Sequence, residues 1–354
     1  MMKSKLTILL ALFCAASALG LHTPGALGWH VSEGLTLRRT FISKVFLATE
    51  SMSFGDGDDK TVSQRIFDLQ TVTTLRTSCQ FKKVGEGRPL VLRRFYDEAR
   101  IEASSEVSGG RQQTRGIDYR AESPFEGRSV VFTWIPADQE YGCYYDGLEG
   151  IEEALAGLRE DLGARSLMPA KAVAEGDTWN LPPAVLEDLL APGGHLGHDF
   201  GEADDPLIAR SLGQGVGANL QRAFGGNESG TLKAQWVRSE EVEGRSLAVI
   251  ALEFEAEVSN DIAELVNEER AVSELASGQE TLTAILTVGF KGSGFVRWDL
   301  AAGCLFDTVD LRSDLDLRFD KTVACERDGK TEQIQQSLQM IGSILQECSV
   351  ETED

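Results

Sequence analysis

Residues 309–325 read VDLRSDLDLRFDKTVAC and alternate apolar with polar side chains. Successive side chains of a β-strand point to opposite faces, so the alternation predicts a strand with one buried and one solvated face. Such a strand would span roughly 55 Å at about 3.3 Å per residue, far more than the usual strand. Its apolar face comprises Val309, Leu311, Leu315, Leu317, Phe319 and Val323. A strand of this length indicates a large, curved antiparallel sheet.

A second strand is predicted directly after this one. Asp328-Gly329 is a strong signal for a two-residue hairpin, because a type I′ turn needs positive φ at both central positions. If Arg327 pairs with Lys330, the apolar faces of the two strands coincide. The pairs that follow are Val323 with Ile334, Phe319 with Leu338, Leu317 with Met340, and Ser313 with Ile344. A helix over Thr331–Glu347 is the alternative, since a 3.6-residue period also fits. We favour the hairpin because the turn and the pairing agree independently.

These coincident apolar faces are the candidate ligand site, since the mouths of barrels and half-barrels commonly hold ligands. The candidate lining residues are Leu315, Leu317, Phe319, Val323, Leu338, Met340 and Ile344. The same side chains would equally form a plain sheet core. The pattern alone does not separate a filled interior from a hollow one.

The composition indicates a folded and strongly acidic protein. The chain has 354 residues, a formal net charge of −22 and a pI near 4.6. So acidic a chain repels phosphate backbones, and neither nucleic acid nor an anionic membrane surface is an expected partner.

The N-terminus has the organisation of a secretory signal. Lys3 and Lys5 precede an apolar run over Leu6–Phe13, and Ala16-Ser17-Ala18 is a small-x-small cleavage site. We therefore expect residues 1–18 to be a signal peptide. The mature chain would be exported to the periplasm, the cell envelope or the medium. No segment is long and apolar enough to predict a membrane span.

Five cysteines would remain after cleavage: Cys79, Cys143, Cys304, Cys325 and Cys348. An oxidising compartment allows disulfides, and an odd number leaves at least one thiol free or paired between chains. Cys304 and Cys325 should lie near opposite ends of one strand, too far apart for a bridge. Cys348 returns towards the Cys304 end and is the better partner. The full connectivity and the oligomeric state stay open.

The mature chain divides into three regions. Residues 30–147 read as an N-terminal β half, 148–229 as a helical and loop insert, and 230–348 as a C-terminal β half. The fold class is mainly antiparallel β of the α+β type: a long-stranded, curved, half-barrel-like sheet with a few helices packed on it. Helices are predicted over Leu148–Leu162, Ala184–Leu190, Pro206–Phe224 and Asp261–Ala276.

Residues 167–179 read LMPAKAVAEGDTW. This stretch resembles a Leu-Pro-x-Lys-x-Val-x-x-Gly-Asp-Ser/Thr-Trp signature of an exported bacterial family with no agreed activity. It departs from that signature at Met168 and Ala172. Trp298-Asp299, followed by Gly303, fits a later feature of the same family. The resemblance implies a fold similar to the periplasmic lipoprotein carriers of the LolA/LppX kind, half-open antiparallel barrels whose helices plug an apolar concavity.

One cluster has metal-ligand residue types, and His195 and His198 head it. The acidic residues that follow are Asp199, Glu202, Asp204 and Asp205. A zinc site needs three or four convergent ligands, and the neighbouring glycines favour a solvated loop. We expect neither a metal nor a cofactor, with a metal-dependent hydrolase as the alternative. Asp177 is interpreted as capping a turn rather than as a catalytic acid.

The sequence thus indicates an exported, non-enzymatic protein. We expect its partner to be a lipid or another hydrophobic or amphipathic ligand, bound in the curved sheet. The alternative is a structural or interaction protein of the cell envelope whose core is filled and holds no ligand.

Overall fold

The computed structural model contains one antiparallel sheet of 13 strands. It describes residues 27–353 except 57–58, 63–65, 86, 110–111, 148–149, 163, 199–222, 225, 265, 268–278 and 328–329. The strands are β1 (Thr36–Asp56), β2 (Asp59–Val62), β3 (Ile66–Gly85), β4 (Arg88–Gly109), β5 (Gln112–Glu122), β6 (Ser129–Ile135), β7 (Glu140–Tyr145), β8 (Thr178–Leu181), β9 (Asn227–Val242), β10 (Arg245–Asp261), β11 (Gln279–Asp299), β12 (Cys304–Arg327) and β13 (Lys330–Glu353). The predicted fold class, mainly antiparallel β with long strands, is confirmed.

The N-terminal and C-terminal strands belong to the same sheet. The strand order is β7-β6-β4-β3-β1-β13-β12-β11-β10-β9-β8, with β2 paired to β1 and β5 to β4. The first and last strands of the chain join the halves, since β1 pairs with β13 from Thr36 opposite Glu353 to Gly55 opposite Gln335. Register shifts interrupt the β11–β12 ladder at three points. Such bulges bend and twist a sheet, and this one is open and curved.

The β12–β13 hairpin has the predicted register. Arg327 faces Lys330, and all four pairs predicted from the sequence are present. The alternative helix over Thr331–Glu347 is wrong, because β13 is extended throughout. The Asp328-Gly329 turn lies outside the described residues.

The predicted alternation fails at Val309, which is exposed. Asp310 has a φ of 50°, and the register with β13 shifts between Asp307 and Leu311. This bulge inserts an extra position, so Val309 and Asp310 both face solvent while Leu311 returns to the buried face. The buried alternation therefore begins at Leu311.

Of the helices predicted within the described residues, the one over Ala184–Leu190 is confirmed, and the one over Leu148–Leu162 is much shorter than predicted. The structure has α1 (Glu152–Leu155), a 3₁₀ turn (Arg165–Leu167) and α2 (Val185–Leu190). The predicted helix over Leu148–Leu162 is wrong beyond α1, because the chain leaves the helix to pair with a later loop: His195 N donates to Gly157 O at 2.7 Å. Most of the helices predicted over Pro206–Phe224 and Asp261–Ala276 lies outside the described residues.

We call the buried face of the sheet the inner face, defined by Leu37, Leu75, Ile250, Leu286 and Leu311. We call residues 150–198, apart from β8, the insert; it contacts β4 and β7 on this face, since Arg94 donates to Arg159 O and Cys143 Sγ donates to Leu155 O. The buried leucines of the insert are Leu155, Leu162, Leu167, Leu186, Leu189, Leu190 and Leu196. They form one hydrophobic cluster with the sheet. Among the helices of the described residues, none combines the length and hydropathy needed to cross a bilayer.

Candidate functional site

The seven predicted lining residues lie on one face of the β12–β13 hairpin. Leu317 is opposite Met340, and Phe319 is opposite Leu338. Five of the seven are buried, whereas Phe319 and Leu338 are only half-buried and pack against the edge of the core. The strip is therefore closed around Leu317 and Met340 and more open at the Phe319–Leu338 pair.

The strip continues onto β11, where Val288 pairs with Leu317 and Phe290 with Leu315. Phe224, just before β9, stacks on Phe290 with the ring centroids 5.4 Å apart. Aromatic stacking of this kind fixes the covering segment on the sheet. The ring of Phe224 thus covers the β11 side of the strip.

Polar side chains occupy other buried positions of the same inner face. Gln346 is 1% exposed, and neither Oε1 nor Nε2 of its side chain has a hydrogen-bond partner among the described residues. Buried side chains on the inner face with at least one unpartnered polar atom are Arg39, Thr71, Arg94, Ser105, Thr281 and Gln346. Leaving such a group unpaired costs about 1–3 kcal/mol, so each needs an explanation.

These polar positions are not among the predicted site residues, although the alternation of β1 and β13 indicates them. Arg39 stands between Leu37 and Phe41 in the alternation of β1, and Gln346 between Ile344 and Cys348 in that of β13. A polar residue at an apolar-face position is the informative departure from the rule that strands bury one face.

A cavity of about 310 Å³ lies where β1, β3, β4 and β13 meet. Its lining residues are Arg38, Arg39, Thr40, Arg76, Thr77, Asp97, Ser349 and Glu351. Most of them belong to the exposed face of the sheet, and both signs of charge are present. This cavity is polar and contains none of the seven predicted lining residues.

The signature segment at residues 167–179 builds a turn. Gly176 has a φ of 95°, Asp177 Oδ2 accepts from Ala174 N at 2.8 Å, and Gly176 N donates to Trp236 O. Trp179 Nε1 donates to Leu167 O at 3.0 Å. The interpretation of Asp177 as a turn cap is confirmed, and its carboxylate is engaged in positioning β8 against β9.

The second motif is also a turn. Asp299 Oδ1 accepts from Ala301 N and Ala302 N, and its Oδ2 accepts from Arg245. Trp298 is fully buried and donates to Gly28 O at 3.1 Å, which fastens the N-terminal segment to the end of the sheet. Gly303 has a φ of 65°, and a Cβ there would lie 2.6 Å from His30 N. The Trp-Asp pair therefore holds the chain together locally.

Two buried carboxylates of the insert are shifted towards neutrality. Burial raises the pKa of Glu160 to about 7, Asp161 adds to the rise, and Arg165 opposes it with two bonds of 3.1 and 3.2 Å. Burial likewise raises the pKa of Glu187 to about 7, against the pull of Arg159 at 2.7 Å. Both carboxylates are ion-paired, so the arrangement is a structural network rather than a free acid–base pair.

The predicted histidine cluster is described only in part. His198 is largely buried, and burial, with a contribution from His195, lowers its pKa to about 4. Asp199, Glu202, Asp204 and Asp205 lie outside the described residues. In the part of the chain that the structure covers, no three His, Cys, Asp or Glu side chains converge as metal ligands would.

The five cysteines are free in the structure. The predicted Cys304–Cys348 disulfide is absent, and the nearest pair in the ladder is Asp307 with Ser349, three positions beyond Cys304. Burial raises the pKa of Cys304 to about 11 and raises that of Cys348 far above the usual range. Both thiols are therefore neutral at physiological pH.

No protein-family model and no curated protein matches this chain. Among solved structures, the chain is similar to an outer membrane channel from Pseudomonas putida F1, with 8% identity and a TM-score of 0.22. That match covers 93% of this chain and 100% of the channel. A likeness at this TM-score supports no inference about fold or function.

Proposed function

We propose that this chain is an exported, non-enzymatic protein that binds a hydrophobic or amphipathic ligand against the inner face of its sheet. The observation that carries the proposal is Gln346, a fully buried amide whose two polar atoms have no partner among the described residues. It lies on β13 between the apolar strip at Ile344 and the end of the sheet closed by Trp298.

Ligand sites are typically lined by apolar side chains with a few placed polar groups, and the inner face has this composition. A purely structural core would favour an apolar residue at position 346, because an unpaired buried amide is destabilising. A ligand that is polar at one point and apolar elsewhere would satisfy Gln346 and cover the neighbouring strip. This chemistry supports an amphipathic ligand over a plain hydrocarbon.

The proposed location is the periplasm, cell envelope or medium, and it rests on the signal-like residues 1–18, which lie outside the described residues. The signature at residues 167–179 supports a relationship to carriers of the LolA/LppX kind. In that relationship the insert would be the element that covers the ligand. No catalytic residue is part of the proposal.

The test compares two isoleucines on opposite faces of β13. Ile344 is buried on the inner face, whereas Ile341 is 44% exposed on the other. The mature protein is titrated with dansyl-labelled undecanoic acid, and an organic extract of the purified protein is analysed by mass spectrometry. We expect an extracted lipid, fluorescent binding by the parent, loss of binding in Ile344→Phe and unchanged binding in Ile341→Phe.

Circular dichroism confirms that both variants fold, and Leu338→Phe at the half-buried end of the strip replaces Ile344→Phe if that variant does not. A parent that yields no lipid and binds no probe contradicts the carrier proposal. Equal binding by both isoleucine variants contradicts the assignment of the inner face.

The second candidate is a structural or interaction protein of the envelope, and an exposed apolar pair favours it. Phe46 of β1 is 41% exposed, and it lies two positions from Ala48, which pairs with Ile341 of β13. Exposed apolar side chains on neighbouring strands are a common feature of contact surfaces. Sedimentation of the parent and of Phe46→Ser/Ile341→Ser separates the candidates, since self-association that only the parent shows would favour this one.

A further inference from the structure

Arg39 is the most unusual charged residue of the inner face. It lies on β1 opposite Thr77 of β3 and Val350 of β13, both of which are buried, and Arg39 itself is 3% exposed. A guanidinium is charged at any physiological pH, so the chain keeps a full positive charge inside its core. Buried charges are costly unless they are paired and hydrogen-bonded.

No described residue accepts a hydrogen bond from the guanidinium of Arg39 or forms an ion pair with it. Its Nε has no partner, and its recorded contact is with the ring of Phe81, 6.0 Å from the centroid. Trp29 packs edge-on against that ring at 6.3 Å. An aromatic face attracts a cation but supplies no acceptor for its N–H groups.

Arg94 shows how this protein satisfies a buried arginine when nothing else is to bind there. It is fully buried on β4, and its Nε has no partner either, but its two terminal nitrogens donate to the carbonyl oxygens of Arg159 and Glu160. Arg94 therefore anchors the insert to the sheet. Arg39, on the same face and equally buried, has no such acceptors, so the two arginines have different roles.

The groups around Arg39 do not neutralise it. Cys304 and Cys348 act on the same region, but burial keeps both thiols protonated. Asp299 and Asp307 are close enough to influence these thiols, yet they are already paired with Arg245 and Arg297. Asp97 and Glu351 line the same 310 Å³ cavity as Arg39, but no ion pair joins either carboxylate to Arg39 among the described residues. Arg39 therefore has no anionic partner within the described part of the chain.

We propose that Arg39 receives the anionic head group, a carboxylate or phosphate, of the ligand that the inner face binds. This assignment rests on the proposed function and names the chemical class of the ligand. Gln346 lies four positions along β13 from the partner of Arg39, and Ile344 lies six positions along, or about 20 Å. A long acyl chain spans that length, passing the amide and reaching the apolar strip.

The test uses a pair of probes that share one tail. Dansyl-labelled undecanoic acid carries the anion, and its methyl ester lacks it. We expect Arg39→Met, which keeps the length of the side chain and removes the charge, to weaken binding of the acid roughly 10–100-fold. Binding of the ester should be unchanged, and Arg39→Lys should restore most of the preference for the acid.

Arg38→Met is the matched control, because Arg38 is the adjacent residue and belongs to the exposed face. It should leave the affinity for both probes unchanged. Competition with inorganic phosphate separates a head group from a free anion: displacement of the bound acid by phosphate supports an anion site shared with the lipid head.

The outcomes distinguish this inference from the proposed function. If the parent binds neither the acid nor the ester, the carrier proposal fails and the assignment of Arg39 falls with it. If the parent binds both probes and Arg39→Met binds the acid as tightly as the parent, the inference alone is overturned. A melting temperature that phosphate raises without any binding of the acid also overturns it, since the site would then take a free anion.

Discussion

The two ends of the inner face are built on the same strands but differ in what occupies the buried positions. The end near the β12–β13 turn, which we call the apolar end, contains Leu315, Leu317 and Met340, and packing accounts for all three. The opposite end, which we call the polar end, contains Arg39 and Gln346, which packing does not account for. A complete apolar alternation identifies the fold, whereas its interruptions are the better guide to binding, because they are destabilising unless something pairs with them.

The largest expected effect comes from Gly342, which lies on β13 between the two ends. A Cβ at this position would lie 1.8 Å from the Phe46 carbonyl oxygen of β1, and a backbone atom cannot move aside as a side chain can. We expect Gly342→Ala to lower the free energy of unfolding by about 3 kcal/mol, at the upper end of overpacking effects. Urea denaturation measures the change.

Gly289→Ala is the control, because a Cβ there meets Asp316 at an ordinary 3.7 Å. Replacing a strand glycine without a clash should be neutral or stabilise by less than about 1 kcal/mol. An equal loss in both variants would show that the close approach of β1 and β13 is not what holds the two ends in one sheet.

Sequence reasoning predicted the apolar end well because two independent signals coincide there. The two-residue period requires Phe319 and Leu338 to share a face, and the Asp-Gly turn fixes the register that brings them opposite each other. It failed at Val309, since a bulge at Asp310 leaves no mark on the pattern. It also failed in the insert, where the apolar spacing predicted a helix. There the backbone of Gly157 pairs with that of His195 instead of continuing the helix.

The polar end was not predicted because the alternation was interpreted through its apolar members. Arg39 and Gln346 are each flanked by apolar residues at the same parity, so their burial follows from the sequence once that parity is assigned. Their lack of partners does not follow. Whether an acceptor from the insert reaches a buried arginine, as it does for Arg94, depends on long-range packing that no local period encodes.

The polar end should also respond to pH, whereas the apolar end should not. Arg165, which pairs with Glu160, packs over Trp29 at 5.7 Å, so the titrating pair borders this end. Glu160 has a pKa of about 7 in the folded chain against 4.5 ordinarily, so the folded state binds more protons between these values. Its contribution to stability is fully present below about pH 4.5 and is lost as the pH rises through about 7.

We expect the difference in unfolding free energy between the parent and Glu160→Gln to change by about 2 kcal/mol from about pH 5 to about pH 8, in favour of the variant at high pH. The contribution of His198 to the pH dependence is the same in the parent and the variant, so it cancels in this difference. That contribution has the opposite sign, because the folded pKa of His198 is lowered to about 4. Glu253→Gln, on the exposed face, is the control. If the difference does not vary with pH, protonation of Glu160 does not contribute to the pH dependence of stability.

The smallest effect is the most specific, because its sign separates the two buried arginines. In the ligand-free protein, Arg39→Met removes a charge that nothing pairs with and leaves an apolar side chain beside Phe81. Replacing an uncompensated buried charge by an apolar group of similar volume should raise the free energy of unfolding by about 1 kcal/mol. Arg94→Met should lower it, since the Arg159 and Glu160 carbonyls would lose their donors.

Thermal and urea unfolding of delipidated samples measure both changes, and a destabilised Arg39→Met would mean that the core already satisfies this charge. A ligand that binds Arg39 should raise the free energy of unfolding of the parent but not that of Arg39→Met, so that with ligand the parent becomes the more stable of the two.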